Sequence, residues 1–174
     1  MNWYKIAKKK GCSGWIAVRL SQRPANKIKK WGRDNIPDSV LYKEEGYGRE
    51  LDTHITIIYG VCEDSKEIIE DIVKKYKSIK ATLGKVGYFK KSPDFDVVIL
   101  KVEGEDLRRL HEDIKRKLDV IETYPNYQPH CCIAYVKKGE GAKHAGDTFM
   151  EGVELIFDKV VFINDKDEEF EIEL

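Results

Sequence analysis

One segment of this chain occurs twice, and the repetition limits what the chain can fold into. Thr53-His54-Ile55-Thr56-Ile57-Ile58-Tyr59-Gly60 and Pro129-His130-Cys131-Cys132-Ile133-Ala134-Tyr135-Val136 each place a His second, an apolar run after it, and a Tyr five positions beyond the His. Strand side chains alternate between faces, so His54 shares a face with Thr56 and His130 with Cys132, while Ile55 and Cys131 point the other way. Two imidazoles on separate strands can flank one phosphate. The same alternation sets Tyr59 and Tyr135 on the face away from their histidines, where packing is their expected role.

The rest of the chain divides around these strands. Gly14 to Leu20 reads as a strand, and Pro24 to Asn35 as a helix with Ile28 and Trp31 near one face, ending before Pro37. Asp38 to Asp52 is a loop that delivers the chain to the first His strand. Asp64 and Glu67 form a capping box for a helix carrying Ile68, Ile69, Ile72, Val73 and Tyr76 at helical spacing and ending near Ser78. Ala81 to Phe89 and Phe95 to Val102 are strands joined by a turn, and the apolar run Val97 to Leu100 suits a buried central strand. Glu105 to Leu118 is a helix with Leu107, Leu110, Ile114 and Leu118 on one stripe. The loop Tyr124 to Pro129 enters the second His strand, and Lys137 to Thr148 leaves it for the last strands, Gly152 to Ile163 and Glu168 to Leu174. A strand-helix-strand unit therefore occurs twice, each ending in a His strand. Pseudo-twofold packing of the units brings the histidines face to face. The expected architecture is α+β, mostly antiparallel, one domain over residues 1–174 made of two lobes around a central groove.

Composition removes several function classes. The 174 residues suffice for one core without a metal or disulfide staple. With 31 basic and 31 acidic residues the net charge is zero, which argues against binding long nucleic acid by bulk charge but allows a small anion in a local basic pocket. No apolar run has the roughly 18 residues of a membrane span, and Met1-Asn2-Trp3-Tyr4-Lys5 has no signal-peptide core, so a cytoplasmic protein without membrane association is expected. The four cysteines, Cys12, Cys62, Cys131 and Cys132, lack the spacing of a disulfide framework or zinc knuckle and are expected as reduced thiols. Strand alternation turns Cys131 away from His130 and Cys132, leaving too few ligands for zinc. His111, beside the stripe of its helix, and His144, in a polar loop, read as surface residues.

On the two His strands the chain resembles the two-histidine (2H) phosphoesterase superfamily, whose signature is a pair of His-x-Thr/Ser strands flanked by apolar residues. The contexts 48–60 and 127–136 look like the phage anti-CBASS nucleases, which degrade the cyclic di- and trinucleotides that signal infection in bacteria. The resemblance implies the duplicated two-lobe (LigT-like) fold and a hydrolase, a metal-independent phosphodiesterase that needs no cofactor. It further implies a 3′,5′-linked cyclic oligonucleotide substrate, phage origin and a place in the host cytoplasm. In that reading His54 and His130 are the acid-base pair, and Thr56 and Cys132 hold the non-bridging phosphate oxygens. Imidazole suits both proton transfers, because its unperturbed pKa of about 6.5 populates both states near neutrality.

Position 132 departs from the family pattern, since Cys stands where Thr or Ser is usual, and a thiol is a longer and weaker donor than a hydroxyl. A thiolate there would repel phosphate, so a neutral thiol is expected. Two alternatives accompany the main reading: a 2′,3′-cyclic or 2′,5′ RNA phosphodiesterase of the same superfamily, and a non-catalytic cyclic-nucleotide sponge in which Cys132 marks decayed catalysis. For substrate contacts the candidates are Trp15, Tyr88, Phe89, Tyr124 and Tyr127 for base stacking, and Arg49, Lys137 and Lys138 for phosphate.

Overall fold

The computed structural model describes residues 12–62, 65–90, 92–121 and 126–174. Its strands are β1 (Gly14–Arg19), β2 (His54–Val61), β3 (Ile79–Phe89), β4 (Phe95–Glu103), β5 (His130–Lys137), β6 (Glu154–Phe157), β7 (Lys159–Ile163) and β8 (Glu169–Glu173). Its α-helices are α1 (Gln22–Asn35), α2 (Lys66–Val73) and α3 (Glu105–Lys115). The strands make one sheet in the order β6-β3-β4-β5-β2-β1-β7-β8, with every neighbouring pair antiparallel. That order repeats outward from the β5–β2 seam: β4 and β1 come next to it, then β3 and β7, then β6 and β8. The fold is α+β as the residue pattern implies. The capping residue Asp64 lies outside the described residues.

The two helices that interrupt the repeated units both reach across the seam. Helix α1, from the first unit, packs on β5, where Gly32 comes so close that a Cβ would stand 3.0 Å from Ile133 Cγ2. Helix α3, from the second unit, packs on β2 and β3. Ile28 and Trp31 of α1, and Leu107, Leu110, His111 and Ile114 of α3, are buried beneath a sheet face that contributes Ile55, Ile57, Cys131 and Ile133. Burial of each such aliphatic side chain contributes about 1.5–3 kcal/mol.

At the seam β2 and β5 share a single register pair, Ile55 opposite Cys131. Beyond it they part and take separate partners. Gly60 O accepts from Ile121 N–H at 2.9 Å, while Tyr135 N–H donates to Gly48 O at 2.7 Å and Tyr42 N–H to Tyr135 O at 3.0 Å. Gly60 is required here, because its φ is +98° and a Cβ would meet Ile121 O at 2.4 Å.

Two expectations need correction. The segment Gly152 to Ile163 does not run as one strand but breaks at Asp158: β6 pairs with β3 and β7 with β1, in opposite halves of the sheet. A one-residue link between them requires the sheet to curl until its halves meet, and Asp158 O accepts from Leu174 N–H at 2.9 Å at that corner. Nor are all four cysteines thiols. Cys12 and Cys62, which flank the Gly14–Val61 pair of β1 and β2, form a disulfide, and only Cys131 and Cys132 are free.

Candidate active site

Antiparallel continuation from the Ile55–Cys131 pair sets His54 across from Cys132 and Thr56 across from His130. All four positions are half-buried. The backbone builds the two half-sites alike. Leu20 N–H donates to Thr53 O at 3.1 Å and Val102 N–H to Pro129 O at 3.2 Å, which fixes the start of each His strand against its neighbour. His54 Nδ1 donates to Asp52 O at 2.6 Å, and His130 Nδ1 donates to Gln128 O at 2.7 Å. A carbonyl oxygen only accepts, so Nδ1 keeps its hydrogen in either charge state and Nε2 is the nitrogen that gains or loses a proton. Each ring also meets an aromatic neighbour, Trp15 tilted at 5.1 Å from His54 and Phe89 edge-on at 4.9 Å from His130.

Register places a cation beside each imidazole, Arg19 opposite His54 and Lys101 opposite His130. Arg19 Nε donates to Asp52 Oδ2 at 2.9 Å, and its terminal nitrogens clamp the Glu169 carboxylate. Asp52 therefore holds His54 through its carbonyl and Arg19 through its carboxylate. The hydrogen bonds from Arg19 keep the Glu169 carboxyl below its usual range. Lys101 lies along β3, where a Cβ at Gly87 would stand 3.0 Å from Lys101 Cε. Neither cation follows from the local sequence; each is found only once the strand register is known.

Simple alternation fails for the two tyrosines, for a definite reason. Ile16 pairs with Ile58 but Ala17 with Thr56, so Ile57 is an extra residue in β2; Val98 pairs with Ala134 but Ile99 with Cys132, so Ile133 is an extra residue in β5. Each bulge lies three residues after its His and shifts the following residues by one place. Tyr59 and Tyr135 consequently share the half-buried face of His54 and His130. Tyr135 hydrogen-bonds the Cys132 side chain. Burial is the chief cause that raises the Cys132 thiol well above its ordinary range, with the Glu50 carboxylate and Cys131 adding to it, so the thiol stays neutral.

The β2 bulge is held by side chains read differently in the sequence. His111 is buried, 7% exposed, rather than a surface residue, and its Nδ1 donates to Ile57 O at 2.7 Å. Tyr127 stacks on the His111 ring at 4.2 Å and donates its hydroxyl to Thr56 O at 2.9 Å. Burial raises the Tyr127 pKa, so the phenol remains a donor. On the β5 bulge a backbone group does this work, Glu50 N–H donating to Ile133 O at 2.9 Å.

A family model described as the 2′-5′ RNA ligase superfamily matches residues 21–169, a span holding both His strands. The chain belongs to the 2′-5′ RNA ligase superfamily. A search of curated proteins finds no match. Solved structures share the fold of this superfamily member at low identity. Usb1 of Kluyveromyces marxianus with uridine monophosphate is 10% identical with a TM-score of 0.62, covering 95% of this chain and 100% of that one. LigT of E. coli complexed with 3′-AMP is 14% identical with a TM-score of 0.57, covering 93% and 94%. A Thermus thermophilus protein, TT0787, is 16% identical with a TM-score of 0.59, covering 93% and 94%.

In this superfamily member the outer candidates fall into two groups. Trp15 and Phe89 border the histidines, whereas Tyr88, next along β3 and so on its other face, packs against the backbone at Gly141, where a Cβ would be 2.9 Å from its ring. Tyr127 is committed to the β2 bulge, and Tyr124 lies outside the described residues. The three cations hold backbone. Arg49 donates to the Gly32 and Ile36 carbonyls and pairs with Asp38; Lys137 Nζ donates to Ser39 O at 2.8 Å. Lys138 Nζ joins Ser92 O at 2.6 Å to the buried Asp96 carboxylate at 3.1 Å. A cavity of about 240 Å³ lies beside Tyr42 and Lys137 and one of about 120 Å³ beside Arg49 and Cys132, and neither histidine lines them. Among the described residues no cluster of three His, Cys, Asp or Glu side chains is placed to hold a metal ion, and no helix is long and apolar enough to cross a membrane.

Proposed function

We propose that this superfamily member is a metal-independent phosphodiesterase in which His54 and His130 are the acid-base pair and Thr56 a phosphate-binding hydroxyl. The observation carrying this reading is the matched restraint of the two imidazoles, each donating Nδ1–H to the carbonyl two residues before it on adjoining strands. One Nε2 accepts the proton of a ribose 2′-hydroxyl as its oxygen bonds to phosphorus. The bond from phosphorus to the 5′ oxygen breaks, and the other Nε2 donates a proton to that oxygen. The products are a 2′,3′-cyclic phosphate and a free 5′-hydroxyl. Positioned groups of this kind each contribute roughly 10² to 10⁴ in rate.

The substrate is a small nucleotide, and we favour a 3′,5′-linked cyclic oligonucleotide, degraded in a bacterial host's cytoplasm so that CBASS immunity is evaded. Zero net charge supports a small substrate over long RNA, and Usb1 and LigT hold uridine monophosphate and 3′-AMP in their own structures. Those same ligands support the second reading, action on RNA 2′,3′-cyclic or 2′,5′ linkages. The neutral thiol of Cys132 supports a third, a sponge that binds without cleaving. The test is turnover, in EDTA, of cyclic di- and trinucleotides, 2′,3′-cyclic AMP and 2′,5′-linked diadenylate by wild type, H54A and H130A. Each variant is expected to lose at least about 10²-fold. Undiminished turnover by both variants refutes the acid-base pair; tight binding by wild type with no turnover refutes catalysis in favour of the sponge.

A further inference from the structure

Resting on that acid-base reading, we infer that the hydroxyl of Tyr135 is the phosphate-gripping donor of the second half-site, in place of the side chain at position 132. Three observations meet here. The bulge at Ile133 turns Tyr135 onto the face of His130 and Cys132. The Tyr135 ring is fixed by edge contacts with Tyr47 at 5.0 Å and Phe95 at 5.5 Å. Its side chain hydrogen-bonds that of Cys132, so the hydroxyl lies beside the place where a Thr or Ser hydroxyl would sit.

Donor chemistry decides between the two groups. A neutral thiol donates weakly, and the nearby Glu50 carboxylate opposes its ionisation. A phenol is a full-strength donor, and bonds to an ionised oxygen are roughly twice as strong as neutral ones. Without substrate, the Cys132 sulfur accepts the Tyr135 hydrogen; with substrate, a non-bridging phosphate oxygen is the better acceptor and takes it over. The first half-site has no such need, because Thr56 carries its own hydroxyl.

The test compares wild type, Y135F, C132T, the C132T/Y135F pair and H130A. Turnover is measured with cyclic di-AMP and 2′,3′-cyclic AMP, and binding of adenosine 3′-monophosphate by titration calorimetry. Y135F is expected to lower kcat on the order of 10²-fold with a smaller change in KM, and to weaken the monophosphate about tenfold. In the C132T background, where Thr restores a donor, the same change is expected to cost less than about threefold. Y135F values within about twofold of wild type, or an equal loss in both backgrounds, overturn the inference. H130A separates the levels: if it is inactive while Y135F is unaffected, only the Tyr135 role fails, and if it is fully active the acid-base reading fails first. The calorimetric comparison decides the matter even where turnover is slow, and matched melting temperatures of Y135F and wild type show that folding is unchanged.

Discussion

Removing the Tyr127 hydroxyl should loosen the β2 bulge by an amount the structure sets. Tyr127→Phe keeps the ring stacked on His111 at 4.2 Å and deletes the bond to Thr56 O at 2.9 Å. A carbonyl left without its donor in a half-buried strand costs about 1–2 kcal/mol. For 174 residues the unfolding entropy is about 0.37 kcal/mol/K, so Tm should fall by roughly 3–5 °C. His111→Ala removes the neighbouring bond to Ile57 O and a buried ring, and should cost about 3 kcal/mol or more. Both residues grip consecutive carbonyls of one bulge, so the double variant should depart from additivity by at least about 0.5 kcal/mol. Urea unfolding followed by far-UV circular dichroism, with thermal melts alongside, measures all three. A Tyr127→Phe shift below about 1 °C, or additive costs, would refute the claim that these side chains hold the bulge.

Asp96 gives a second stability test: its carboxylate is fully buried, accepts from Gly139 N–H at 2.9 Å and Gly141 N–H at 3.2 Å, and pairs with Lys138. Asp96→Ala should cost about 3–5 kcal/mol in urea unfolding and Asp96→Asn less; equal, small costs would contradict this. A third test concerns acid. Glu169 has a folded pKa below its unfolded value, so its stabilising contribution is present above the unfolded value and is lost as pH falls through the folded one. Glu169→Gln should therefore melt below wild type at pH 7, with the gap closing below about pH 4; a gap that stays constant down to pH 3 would contradict the pairing with Arg19.

The order of strands and helices is legible in this sequence because each element advertises its own period. Leu107, Leu110 and Ile114 mark α3, and the repeated His segments mark β2 and β5. The His positions are legible for the same reason. What the sequence hides depends on partners. Whether a bulge falls at Ile57 or Ile133 is decided by the strand alongside, so the facing of Tyr59 and Tyr135 follows from the register with β1 and β4. Arg19 and Lys101 are ordinary strand cations until register sets each beside a His. The break at Asp158 is invisible because the residues on either side look alike while pairing in opposite halves of the sheet. His111 lies at the margin of an apolar stripe, and only the open carbonyl of the bulge draws it inward.

Because both helices reach across the seam, the supports of the two histidines are coupled. Helix α1 floors the strand of His130, and α3 floors the strand of His54, so melting either unit removes support from the imidazole of the other. Hydrogen exchange at the amides of Ile55 and Cys131 should then proceed through whole-chain opening rather than local fraying. Substitutions far from the seam that lower global stability will thin the population of competent molecules without altering the chemistry of those still folded.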